Sequence, residues 1–283
     1  MFTNKSNDSV RPTIGIIGGS GPEATIYFQF ELLKAMKENL KPLKDQDYYP
    51  VLVDNDPSIP DRSLAVLKQQ DEIVNLYINR IRKLESLGAS IIIIACNTAH
   101  AFIKKIQKAI NSYLINIIEE VVSNFVNTNK LIKKVGLLAT MGTFSSKIYQ
   151  HEFLKYGVVV EEISAESTLK VHQAIYGIKA GFVTDSDMKQ DRERLYQVYK
   201  AFDEQQLDFF KIKSPTDLLT EILYEMHIKG INHVILGCTE LPIALNNEIF
   251  QGQVLFNPAT IIAKKTLYYC NLIENNNVPR KVI

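Results

Sequence analysis

The chain has 283 residues, 46% hydrophobic and 22% charged, with a formal net charge of +1. That composition supplies a large packed core, is too apolar for a disordered chain, and gives no electrostatic footprint for nucleic acid or an anionic membrane. Three scattered cysteines exclude a disulfide framework and a zinc site, so free thiols in a reducing cytoplasm are expected.

The opening MFTNKSNDSVRP lacks the apolar centre of a signal peptide, and no run approaches the roughly 18 apolar residues of a membrane span. Thr13–Ile17 is a short apolar run stopped by Gly18, Gly19, Ser20, Gly21 and Pro22, which reads as a buried strand ending in a tight loop. Pro22 suits the first turn of a helix that continues through residues 24–36. A second strand at 49–53 leads into the turn-rich stretch DNDPSIPDRS. Ile73, Tyr77, Ile81 and Leu84 recur at helical spacing, with Gly88 placed to cap that helix. Four consecutive isoleucines, 91–94, show no polar alternation, which predicts a strand covered on both faces, as in a parallel sheet.

The pattern then restarts. Val135, Gly136, Leu137 and Leu138 followed by ATMGT echo the first strand and its loop, and VILGCT (234–239) echoes IIACNT (93–98). One unit used twice predicts an α/β fold of two similar three-layer lobes with mainly parallel sheets, related by a pseudo-twofold axis. The active site is expected between the lobes, where loops at strand carboxyl ends meet. The expected division is 1–113 plus 257–283 for the first lobe and 114–256 for the second. A charged helical insertion at 185–213 reads as a solvated face, with a lid or subunit contact as the alternative. The tail helix after Asn257 and Pro258 is expected to pack back on a lobe, with Cys270 as inert packing.

Cys96 and Cys238 each follow an apolar strand and precede a Thr at a helix start, where the dipole and unpaired N–H groups favour thiolate. A single such Cys reads as a small hydrophobe. Two in matched positions of a repeated unit suit removing a proton from one face of a carbon and returning one to the other. Asn97, Thr98, Thr239 and Glu240, with the loops at 18–21 and 140–143 that include Ser20, Thr140 and Thr143, offer donors for a carboxylate. Arg62, in a proline-bracketed loop, presents a planar fork for a carboxylate. GSGPEA fits the dinucleotide pattern only as a lone match, and Asp54 lies too far on to be its ribose acid. No Walker loop is present. His100 and His233 lie near the cysteines without a metal-ligand spacing, so no metal is expected. On the residues alone, another reaction at paired thiols and a silent amino-acid-binding module stay open.

The segments IGIIGGSGPEAT (14–25), DQDYYP (45–50), NDPSIPDRS (55–63), ACNTAH (95–100), GLLATMGTFSSKIY (136–149), AIYGIKAG (174–181) and GCTELP (237–242) occur in the order of the motifs of the aspartate/glutamate racemases. The chain resembles that family over most of 14–263. Glu240 and Ile17 stand where glutamate-dedicated relatives carry His and an acid, which favours the aspartate branch or broad specificity. The resemblance implies that Cys96 and Cys238 are the catalytic pair, one thiolate abstracting the α-proton while the other thiol protonates the opposite face. Arg62 and Lys179 match residues that hold substrate carboxylates, and Asp61 a neighbour orienting Arg62. Asn97, Thr98 and Thr239 match groups around the α-carboxylate and amino group. Ser63, Thr140, Thr143, Ser20 and Glu240 complete the expected substrate-binding set, Ser20 standing where the family carries Met. The resemblance further implies no cofactor, an amino-acid substrate, and a homodimer.

Overall fold

A computed structural model describes residues 11–203 and 207–275. The expectations for residues 1–10, 204–206 and 276–283 lie outside the described residues. The strands are β1 (Thr13–Ile17), β2 (Val51–Asp54), β3 (Ala89–Ile94), β4 (Tyr113–Leu114), β5 (Lys134–Leu138), β6 (Val159–Val160), β7 (His233–Leu236), β8 (Ile249–Phe250) and β9 (Gln253–Phe256). They form two sheets, in the orders β2-β1-β3-β4 and β6-β5-β7-β9-β8. All pairings are parallel except β8 with β9. Strand for strand, β2-β1-β3-β4 corresponds to β6-β5-β7-β9, so the echo in the sequence is an echo in topology.

The isoleucine run shows why the sheets are parallel and doubly covered. Ile91 and Ile93 enter the core between the sheets, whereas Ile92 and Ile94 enter the core under helix Glu72–Ser86. All four are fully buried. The second sheet alternates likewise: Ile235 points to the central core, and Val234 and Leu236 to the outer one.

Helices Pro22–Leu40, Ile117–Thr128, Ile148–Leu154 and Pro258–Glu274 all contribute to that central core, so the two sheets share a helical layer. Phe125 makes edge-to-face contacts with Phe153 and Phe256 within it. Helix Pro258–Glu274, which follows the second sheet, packs on helix Pro22–Leu40 of the first. Cys270 is fully buried there, its thiol pushed up to about 12 by burial and then by Glu274. The strand β4 straddles the expected 113/114 boundary.

The stretch at 185–213 keeps its described charged residues exposed or half-exposed on one side and has a buried apolar side as well. Its helices Asp185–Gln190 and Arg192–Lys200 bury Met188, Leu195 and Tyr199 in the outer core of the second sheet. Arg194 Nη2 donates to the Ala180 carbonyl (2.6 Å), and Gln173 Nε2 to the Tyr199 carbonyl (3.4 Å). With the buried Ile212, Met188, Leu195 and Tyr199 dock the segment on the second lobe's outer core, which includes helix Ala165–Lys179.

Candidate active site

Every sequence-predicted site residue falls on a loop or helix end at the carboxyl side of β1, β3, β5 or β7, or on the two elements that reach over them. Gly19 has φ +75, and a Cβ there would lie 2.0 Å from the Asp56 carbonyl oxygen, so only glycine lets the first loop meet the 54–63 loop. That second loop is held by Arg80, whose Nε donates to Asp54 Oδ2 (2.6 Å) and whose Nη1 donates to the Asp56 carbonyl (2.9 Å).

Arg62 begins helix Arg62–Leu67, and its backbone is fixed by Asp61 Oδ1, which accepts from Leu64 N at 2.8 Å. Its Nη2 donates to the Ser20 carbonyl (2.7 Å) and its Nη1 to the carbonyls of Ile59 and Pro60 (3.2 and 3.3 Å). Burial pulls the guanidinium pKa down, but Cys96, Tyr77 and Asp61 outweigh it, leaving it raised and firmly charged. Asp61 is held low despite burial, by the Tyr176 hydroxyl, Leu64 N and Arg62. Ser63 is buried against Gly142, where a Cβ would come within 2.6 Å of the Ser63 Cα. This contact ties the loop after β5 to the first sheet.

Cys96 and Cys238 are free and nearly closed off, with residue exposures of 7% and 6%. Cys96 is followed by a five-residue 3₁₀ turn, Thr98–Phe102, that runs directly into helix Ile103–Gln107, whereas Cys238 is followed by a four-residue helix, Leu241–Ala244. The helix-dipole argument is corrected for Cys238, because so few aligned peptides carry little field. The Cys238 thiol is in fact pushed well up, by burial first and by Glu240 next, with Lys179 offsetting in part.

Glu240 is 2% exposed and its carboxylate is fully engaged. Cys238 Sγ donates to its Oε2 at 2.9 Å, Thr239 Oγ1 to the same oxygen at 3.2 Å, and Lys179 Nζ to its Oε1. Lys179 also donates to the Ser20 carbonyl at 2.6 Å, so Ser20 joins Arg62 to Lys179 through one oxygen. Burial disfavours the ammonium, but Glu240 and Cys238 more than compensate and its pKa is raised.

Thr98, Thr140 and Thr143 form a closed triangle of hydroxyls with separations of 2.9, 2.9 and 3.1 Å. It bridges the carboxyl ends of β3 and β5. Asn97 Oδ1 accepts from Tyr149 Oη at 2.6 Å, which fixes the amide and leaves its buried Nδ2 without a partner. Arg62 Nε is likewise buried and without a partner. Two orphaned donors beside the cysteines are what a bound anion would satisfy.

Sequence reading missed four residues that shape this site. Tyr77 sits on the apolar stripe of its helix, yet its hydroxyl lies 3.4 Å from Ser20 Oγ. Tyr149 and Tyr176 lie inside quoted motifs without a role, and His172 accepts from Met141 N at 3.2 Å. Burial lowers the pKa of His172 to about 4, and that of His100, hydrogen-bonded through Nδ1 to the Cys96 carbonyl at 2.8 Å, also to about 4. A cavity of about 520 Å³ opens elsewhere, near Lys34 and Lys264, and is lined by none of the predicted site residues. Among the described residues no group of three or more His, Cys, Asp or Glu could hold a metal, and no helix is long and apolar enough to cross a membrane.

Two α/β units of one topology, each presenting a cysteine past its third strand, define a racemase-type architecture. The model of the Asp/Glu/hydantoin racemase family matches residues 17–209, and the chain belongs to that family. The broad-specificity amino-acid racemase RacX of Bacillus subtilis (strain 168) is 30% identical over 139 residues, 48% of this chain; the match spans 58% of that relative's length. The glutamate racemase of Shewanella frigidimarina is 24% identical over 91% of this chain and 86% of its own. Among solved structures, Picrophilus torridus aspartate racemase superposes with a TM-score of 0.70 at 24% identity, covering 94% of this chain and 99% of that one. An aspartate racemase homologue from Pyrococcus horikoshii OT3 gives 0.61 at 23%, covering 92% and 99%. At these identities the superpositions establish the shared two-lobe fold.

Proposed function

We propose that the protein racemises a small acidic amino acid, aspartate first and glutamate second, by two-base proton transfer at Cα between Cys96 and Cys238, without a cofactor. The observation that carries this reading is the pair of buried free thiols at equivalent strand ends, beside the cations Arg62 and Lys179 and the orphaned donors Arg62 Nε and Asn97 Nδ2. The relatives support it, since one is named for aspartate, one for glutamate and one for broad specificity.

An amino-acid α-proton is far too weakly acidic for a thiolate unless the carbanion-like state is stabilised. Carboxylates held by Arg62, Lys179 and Asn97 would draw that charge away from carbon, each preorganised donor contributing roughly 10²–10³ in rate. Asp61 orients Arg62, while Ser20, Ser63, Thr98, Thr140, Thr143 and Thr239 shape the pocket around the amino and carboxylate groups. One thiolate removes the proton and the opposite thiol returns one, so both sulfurs must stay reduced. We place the enzyme in the cytoplasm as a homodimer, by analogy with the family. The test is incubation with L-aspartate and with L-glutamate in deuterium oxide, under reducing conditions and without added cofactor. Deuterium at Cα together with the D-enantiomer is expected; absence of exchange with both amino acids would sink the substrate assignment.

A further inference from the structure

Helix Pro22–Leu40 turns an apolar face to solvent. Phe28, Leu32 and Ala35 enter the central core, and on the opposite side of the helix, at about 100° per residue, stand Glu23, Ile26, Phe30, Leu33 and Lys37. Ile26, Phe30 and Leu33 are 61%, 64% and 41% exposed. The outer side of a surface helix is ordinarily polar, as in helix Glu72–Ser86, which turns Asn75, Asn79, Arg82 and Lys83 outward.

Strand β2 widens the patch. Val51 pairs in register with Ile14 and Val53 with Ile16, so both valines lie on the sheet face that this helix covers. Because β2 is the edge of its sheet, they stay 37% and 36% exposed. Asn55 Nδ2, just past β2, donates to the Pro22 carbonyl at 3.4 Å, which sets the end of the strand beside the start of the helix. These five apolar residues present roughly 500 Å² to solvent, as much as the largest patch on a typical monomer and more than half of the about 800 Å² that each partner gives to a standard interface.

The order of residues along the stripe selects the partner. From the helix start it runs acid, three apolar residues, base, at the 3-4-3-4 spacing of a helix-packing seam. Phe30 is its midpoint, equally far from Glu23 and Lys37. A twofold axis at Phe30 lays a second copy of the helix antiparallel on the first, so that Glu23 of each copy meets Lys37 of the other and the apolar residues meet one another. A parallel copy would set like charges together. A twofold interface requires a surface that is its own complement, and this stripe has that property.

We propose that this face, Ile26, Phe30 and Leu33 flanked by Val51 and Val53, is where a second copy of the chain docks, the two helices Pro22–Leu40 lying antiparallel about Phe30. The inference gives the homodimer a surface and does not depend on the racemase reading.

The experiment is sedimentation equilibrium of the full chain over a series of concentrations, with circular dichroism and thermal unfolding to establish that each variant is folded. The unsubstituted chain is expected to sediment at twice the mass of one chain. Phe30→Asp changes a side chain outside the core, so the fold should persist while Kd rises at least about 100-fold, the twofold axis counting the loss of a central aromatic twice. Glu23→Lys should raise Kd about tenfold, because like charges replace two exposed ion pairs. Glu23→Lys combined with Lys37→Glu reverses both ends of the stripe and should restore the original Kd, a recovery that apolar contact alone does not give. A monomeric unsubstituted chain overturns both the surface and the homodimer. A dimer whose Kd is unchanged by Phe30→Asp, or whose double reversal binds no better than Glu23→Lys, overturns this surface. Mass is read without turnover, so a failed racemase reading shows separately as absent α-proton exchange.

Discussion

Gly21→Ala tests the site through a single methyl group. Gly21 has φ 163, extended backbone that alanine adopts freely, so the effect is steric. A Cβ there would lie 1.8 Å from Glu240 Oε1, 2.9 Å from its Cδ and 3.2 Å from Lys179 Nζ. To regain ordinary contact the carboxylate must retreat by roughly 1.5 Å or more. It cannot do so and keep Lys179 on one oxygen and Cys238 on the other. Because the clash meets the end of a side chain and not backbone, the stability cost should fall at the low end of overpacking, about 1 kcal/mol. A displacement of that size at the reacting groups costs on the order of 10²-fold in rate. Racemisation of aspartate and thermal unfolding are therefore measured together: kcat/KM should fall about 10²-fold while Tm drops by only about 2–4 °C. Unchanged kcat/KM in a folded Gly21→Ala protein would refute the placement of Glu240 at the reacting centre.

Three further outcomes follow from the same geometry. Gly142→Ala drives a Cβ to 2.6 Å from the Ser63 Cα, where backbone must move, so denaturant unfolding should show a loss of about 1–3 kcal/mol together with weaker substrate binding. Tyr149→Phe removes the 2.6 Å hydrogen bond that fixes the Asn97 amide; about 1–3 kcal/mol of stability should be lost in denaturant melts, with a raised KM. Acid should destabilise the protein through His100 and His172, both buried and both lowered to about 4. The unfolded chain binds more protons than the folded one between the ordinary histidine value of about 6.5 and about 4, so stability is full above that window and falls as pH drops through it. Each histidine contributes roughly 3 kcal/mol across it, and His172→Asn should flatten the slope of unfolding free energy against pH; an unchanged slope would contradict the assignment.

Much of the fold is written in local pattern. Ile91, Ile92, Ile93 and Ile94 announce a doubly covered strand because parallel sheets bury both faces, and each isoleucine lands on alternate cores. The echo of IIACNT in VILGCT announces the repeated topology. The expected division gave 257–283 to the first lobe, and helix Pro258–Glu274 packs on helix Pro22–Leu40; that the layer holding both helices also serves the second sheet was not legible, because nothing local marks a helix layer as shared. In the 185–213 segment the charged outer side was legible, but the buried side was not, because charges outnumber Met188, Leu195, Tyr199 and Ile212, which fix it. At the site, motif order brought Arg62, Cys96, Lys179 and Cys238 into view. What the two thiols face was not legible: that Glu240 turns back to Cys238 and Lys179, and that Tyr149 fixes Asn97, are relations between distant loops. The helix-start argument failed for Cys238 for a physical reason, since the helix that follows it is too short to supply a field.

The account stands on two sulfurs sharing one carbon. Cys96→Ala and Cys238→Ala, each folded and each assayed for conversion of L-aspartate to D-aspartate under reducing conditions, test that directly. Both variants should lose racemisation to background; full turnover in either one would contradict the two-base site.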